Sequence, residues 1–135
     1  MVFLAGYFAA LVAFVGVDMV WLSVTVERLY RPALGNILAA DVNLPAAIAF
    51  YLIFPIGLVI FAVLPAVRSE TLGHATLYGA LFGFFAYATY DLTNQATVRG
   101  WSTQLTVIDV AWGFALGGFA ATVGYLAASR FAAAA

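Results

Sequence analysis

Three carboxylates sit in runs of almost purely apolar residues: Asp18, Asp91 and Asp109. A charged side chain at the centre of a bilayer costs about 2.5–3.5 kcal/mol on insertion scales, so a carboxylate at depth is a functional candidate by default. Polar side chains of complementary type lie at helical spacing around them. Tyr87 and Asn94 flank Asp91 at four residues before and three after, and so share its face. The strings 17–21 and 108–112 both read Asp-x-x-Trp, which sets Trp21 beside Asp18 and Trp112 beside Asp109, each indole N–H a candidate donor. Asn43 and Tyr51 are expected at the same end. A low-dielectric pocket with neighbouring carboxylates can divide them into a proton donor and an ionised acceptor. The same groups could grip the polar end of an amphiphile. Were a metal bound, Asp18, Asp91 and Asp109 with amide oxygens would suit a hard cation such as Mg²⁺ or Ca²⁺.

Other chemistries are excluded by composition. The chain has 135 residues, 66% hydrophobic and only 8% charged, against about 25% charged in soluble domains. Five Arg, no Lys and six acidic groups give a net charge of -1, with no basic stripe for nucleic acid to follow. Zero Cys removes disulfides and thiolate sites, and a single His removes multi-histidine centres. No Ser-His-Asp pattern or phosphate-cradling glycine loop occurs. The sequence reads as a single all-α integral membrane domain, residues 1–135.

Four stretches must carry these residues: 2–23, 44–67, 74–97 and 106–129. Each reaches the ~20 apolar residues that a spanning helix needs. The first lacks a basic start, and its apolar run exceeds the ~7–15 residues of a signal peptide, so it is read as a span. None alternates as a barrel strand would. Short turns at 68–73 and 98–102 predict an antiparallel four-transmembrane-helix bundle. The longer connection 24–43 predicts a short interfacial segment between helices 1 and 2, with Asn43 capping the second span. Pro55 is expected to kink that span or free the carbonyl of Tyr51.

In this arrangement the three Asp share one half of the bilayer, on stripes that run through Tyr7, Leu11, Phe14, Asp18 and Trp21, through Gly79, Gly83, Tyr87 and Asp91, and through Asp109, Gly113, Leu116 and Ala120. Plainer roles are also open. Asp109 could cap its helix, Asp91 could meet Arg99 or Asn43, and Asp18 could reach Arg28 or Arg31. Gly79/Gly83 and Gly113/Gly117 have the small-xxx-small spacing of close helix packing, and could alternatively join two copies. Arg28, Arg31 and Arg99 against Arg68 and Arg130 lean the Asp end toward the cytoplasm.

The residues 18–22, 50–52 with Gly57, 87–97, 100–101 and 108–113, above all Tyr87-Ala-Thr-Tyr90-Asp91-Leu-Thr-Asn94, resemble the bacterial predicted-membrane-protein family catalogued as domain of unknown function 2177. That resemblance implies a multi-pass protein of the bacterial cell (inner) membrane, and carries no activity. Three functions follow from the residues. The first is a binding site, catalytic or not, for a small amphiphile or lipid-derived ligand. The second is a proton or cation path through the same Asp residues. The third is a structural subunit of a larger membrane complex.

Overall fold

The structure is a computed structural model that describes residues 1–133, and these are all-helical. Helix α1 (Val2–Thr25) passes through a π turn (Val26–Tyr30) into α2 (Arg31–Leu34) and a closing 3₁₀ turn (Gly35–Ile37). Helix α3 (Leu44–Leu58) continues likewise through a π turn (Val59–Val63) into α4 (Leu64–Ser69). Helices α5 (Leu72–Thr97) and α6 (Thr103–Ala132) are uninterrupted. There are thus four long helical segments. Three of them, Val2–Ile37, Leu44–Ser69 and Thr103–Ala132, are long and apolar enough to cross a membrane. Helix α5 has the length, at 26 residues, but Thr, Tyr, Asn and Gln residues dilute its hydropathy.

The first segment differs from expectation. Helix does not stop at 23: the run continues to Ile37, and the connection shrinks to residues 38–43. The short helix expected within that connection is the tail of this run. The reason lies in Pro32 at the start of α2. A proline lacks an N–H, and its ring crowds the carbonyl four residues back. The wider π turn just before it relieves that crowding without breaking the helix. The second π turn stands in the same relation to Pro65. Pro55 lies inside α3 without ending it, and the Tyr7 hydroxyl donates to the Leu52 carbonyl at 3.1 Å, beside the carbonyl that Pro55 frees.

The caps sort as hydrogen-bonding rules require. Asn43 Oδ1 accepts from the Ala46 N–H at 3.3 Å at the start of α3, as expected. At α6 the cap is Ser102, whose Oγ accepts from the Leu105 N–H at 3.2 Å, so Asp109 is not needed there. Gly100, at φ +80°, turns the chain between α5 and α6 in a conformation that L side chains rarely adopt.

Helix α6 is central, packed on α5 along one side and α1 along the other. The α5 contact is backbone on backbone. A Cβ on Gly83 would overlap the Gly113 carbonyl oxygen, and one on Gly79 would lie 2.7 Å from the Gly117 carbonyl oxygen. The two glycine faces therefore fill each other within one chain. On the α1 side, Gly6 and Ala10 meet Gly124. Phe14, Leu58, Val59, Val63, Leu116 and Ala120 close the core. Outward, Phe8, Val12, Val20, Ile53, Phe61, Phe85 and Val107 are more than half exposed. Water would not tolerate so continuous an apolar coat, whereas hydrocarbon would.

Candidate functional site

At the end of the molecule where α1, α3, α5 and α6 bring their polar residues, a cavity of about 440 Å³ opens. It is lined by Asp18 and Leu22 of α1, Tyr30 of the π turn and Phe50 of α3. Ala86, Tyr87 and Tyr90 of α5 and Asp109 and Trp112 of α6 complete it.

Each carboxylate has a different environment. Asp18 Oδ2 accepts from the Tyr51 hydroxyl at 2.6 Å, and its Oδ1 from the Trp112 indole N–H at 2.9 Å. Asp109 Oδ1 accepts from the Tyr30 hydroxyl, which in turn accepts from the Trp21 indole N–H at 3.2 Å. The indoles of Trp21 and Trp112 stack with centroids 4.2 Å apart and planes within 8°. The donors are thus crossed. Trp112 serves the aspartate of α1 instead of Asp109 three residues before it, and Trp21 reaches Asp109 of α6 through Tyr30. An indole three residues along lies on its aspartate's face, yet the facing helix comes nearer still.

Asp91 is fully buried and neighbours Asp109 across the α5–α6 contact. Neither of its oxygens has a hydrogen-bond partner among the described residues. No arginine serves any of the three. Among the described residues the one ion pair is Arg31 with Glu27, at 2.9 Å and solvent-facing. The arginine and cap roles considered for these aspartates are therefore not taken up. Among the described residues no group of three or more Asp, Glu, His or Cys is placed to hold a metal ion, and Asp18 is engaged by Tyr51 and Trp112.

Of the residues singled out in the sequence, Asp18, Asp109, Tyr87 and Trp112 line the cavity; Tyr51 and Trp21 lie one hydrogen bond behind it. Asp91 is covered by Asp109's side of the wall. Asn43 is exposed and engaged as a cap, and Asn94 stands outside the lining. Sequence reasoning missed Tyr30, Tyr90, Phe50, Leu22 and Ala86. Tyr90 and Ala86 flank Tyr87 within the same turn of α5, and Leu22 follows Trp21, so a wider window on those faces would have found them. Tyr30 becomes visible only once the helix is carried past Pro32.

A family model described as "Predicted membrane protein (DUF2177)" matches residues 3–126, almost the whole chain. No curated protein and no solved structure matches it. The chain belongs to this family of predicted membrane proteins.

Proposed function

We propose that this family member is a multi-pass protein of the bacterial cell membrane, an antiparallel bundle of four spans with α5 as the third. Its aspartate end is a binding site for a small amphiphile or lipid-derived ligand. The observation that carries this reading is the cavity itself: an opening of about 440 Å³ walled by aromatic rings and two carboxylates, beside a third whose oxygens lack a donor. Ligand sites are usually apolar clefts of about 300–1,000 Å³ with a few convergent polar groups. A buried polar atom without a partner costs about 1–3 kcal/mol, a cost that a ligand or water donor would remove. The pairing of α6 with both α1 and α5 through glycines supports a tight bundle, and the apolar outer coat supports its immersion in lipid.

The α5 span is the least apolar of the four because its polar residues gather at the cavity end. Asp91, Tyr87 and Tyr90 face or back the site, while Gln95 ties α5 to α6 by donating to Thr103 Oγ1 at 2.9 Å. A continuous proton or cation path draws less support. Beyond Leu116 the space between α1 and α6 is filled by Ala10, Val63, Gly124 and Ala128, with no ionisable side chain among them.

The test is native mass spectrometry of protein extracted in a mild detergent. A bound species of defined mass on the wild type, lost in Asp109→Asn and kept in Glu70→Gln at the far end, is the expected result. A clean apo mass in every preparation and extract would remove the binding reading.

A further inference from the structure

The ligand class can be narrowed from the charge of the cavity and its one open side. Asp18 and Asp109 are hydrogen-bonded only by phenols and indoles. Such donors satisfy oxygen lone pairs but bring no positive charge. The lining contains no basic side chain, and the chain has no Lys at all. A carboxylate ionised here has no positive partner in surroundings that screen it poorly, which favours a cationic guest and penalises an anionic one.

The walls select further. Tyr30, Phe50, Tyr87, Tyr90 and Trp112 present five aromatic rings to the cavity, one face of Trp112 being covered by Trp21. Ring faces attract ammonium groups within about 6 Å, most strongly where water is excluded, and cages of such rings hold quaternary ammonium ions. Access is lateral. Helices α3 and α5 make few contacts, chiefly where Phe82 packs on Phe54 and Gly57 and where Tyr87 meets Phe54 edge-on. On the aspartate side of these contacts, Phe50 of α3 and Tyr90 of α5 both line the cavity and are exposed on the molecule's surface. A tail lying between these two would stay in hydrocarbon while the head met the carboxylates.

The geometry points to an amphiphilic organic cation, an amine or quaternary ammonium carrying an aliphatic tail, as the ligand, entering sideways between Phe50 and Tyr90. This rests on the reading of the cavity as an amphiphile site and goes beyond it by fixing the sign and shape of the head group.

Three probes that share an octyl tail test it: octyltrimethylammonium, octyl glucoside and octyl sulfate. Each is titrated into the protein in lipid nanodiscs, with tryptophan emission as the readout of Trp21 and Trp112. The expected result is saturable binding of the ammonium probe at least about tenfold tighter than either of the others, a difference of roughly 1.4 kcal/mol. Asp109→Asn keeps an acceptor for Tyr30 but removes the charge, and should erase that preference. Tyr90→Leu, which keeps an apolar side chain but removes the ring face, should weaken the ammonium probe severalfold more than the glucoside. Equal affinity for the three heads would overturn the cationic assignment and leave the amphiphile site standing. No binding by any probe would overturn both. A preference that survives Asp109→Asn and Tyr90→Leu alike would overturn the placement in this cavity.

Discussion

Tyr30 is the sole phenol on Asp109, whereas Asp18 holds two donors, and the two aspartates should respond differently to losing a hydroxyl. Tyr30→Phe leaves Asp109 without its side-chain donor. Stranding a buried acceptor costs about 1–3 kcal/mol. Tyr51→Phe leaves Asp18 with the Trp112 indole and should cost about half as much or less, nearer the ~0.5–1.5 kcal/mol net value of an ordinary hydrogen bond. Reversible unfolding in mixed micelles, followed by tryptophan emission, measures both. Equal losses would mean that the crossed donor arrangement does not govern stability. Asp91 makes the opposite case. A buried carboxyl with no donor is a standing cost, and uncharged replacements at such sites are often neutral or stabilising by about 1–4 kcal/mol. Asp91→Asn, whose amide could donate to Asp109, should therefore unfold at equal or higher denaturant while losing the bound species expected on the wild type. A variant that is both less stable and still loaded would show Asp91 to be structural.

At the scale of elements, the π turn before Pro32 decides whether Tyr30 reaches the site. An inserted residue rotates everything after it by about 100°, so removing one residue from Val26–Tyr30 should restore α-helical register and swing Tyr30 off Asp109. Deletion of Arg28, exposed and unpaired with the aspartates, is the cleanest choice. Its stability loss should match that of Tyr30→Phe, and adding Tyr30→Phe to the deletion should cost almost nothing more. Full additivity, within about 0.5 kcal/mol, would mean the two changes act at separate places. The glycine ladder gives a second test of element packing. Gly83→Ala sets a methyl against the Gly113 carbonyl, backbone that cannot yield cheaply, and should destabilise by about 1–3 kcal/mol in the same unfolding assay. Gly16→Ala, which meets nothing, should be neutral or slightly stabilising.

What was legible in the sequence follows the same division. The stripe Gly79, Gly83, Tyr87, Asp91 was readable because one helix imposes its period on its own residues, and the structure keeps Gly79, Gly83 and Asp91 buried on it. The crossing of Trp21 and Trp112 was not readable, since it depends on the distance between α1 and α6 and on no spacing within either. Tyr30 was hidden because a proline at Pro32 reads as a helix boundary. Only a π turn, whose cost is met by tertiary contacts, makes that proline compatible with continued helix.

For the whole molecule, the open topological question is α5. If it crosses the bilayer with the other three, Asn36 and Arg99 flank the cavity on one side of the membrane and Glu70 lies on the other. If α5 lies along the surface, Glu70 and Arg99 share a side, and the polar cluster of α5 faces water instead of the bundle. The packing favours crossing. Helix α5 matches α6 rung by rung, from Thr76 against Thr122 through the glycines to Gln95 against Thr103, and α6 is apolar enough to span. A partner held along its full length is expected to share its path, as the four-span proposal requires. Because the chain has no Cys, single cysteines can be placed without background. Asn36→Cys and Arg99→Cys should react with a membrane-impermeant maleimide from the same face of sealed vesicles, and Glu70→Cys only from the opposite face. The three arginines at the cavity end against two at the other lean that shared face toward the cytoplasm, and on that orientation intact cells should label Glu70→Cys alone. Labelling of Arg99→Cys together with Glu70→Cys from one face, and of Asn36→Cys only from the other, would remove α5 from the membrane and, with it, the lipid-side entrance between Phe50 and Tyr90.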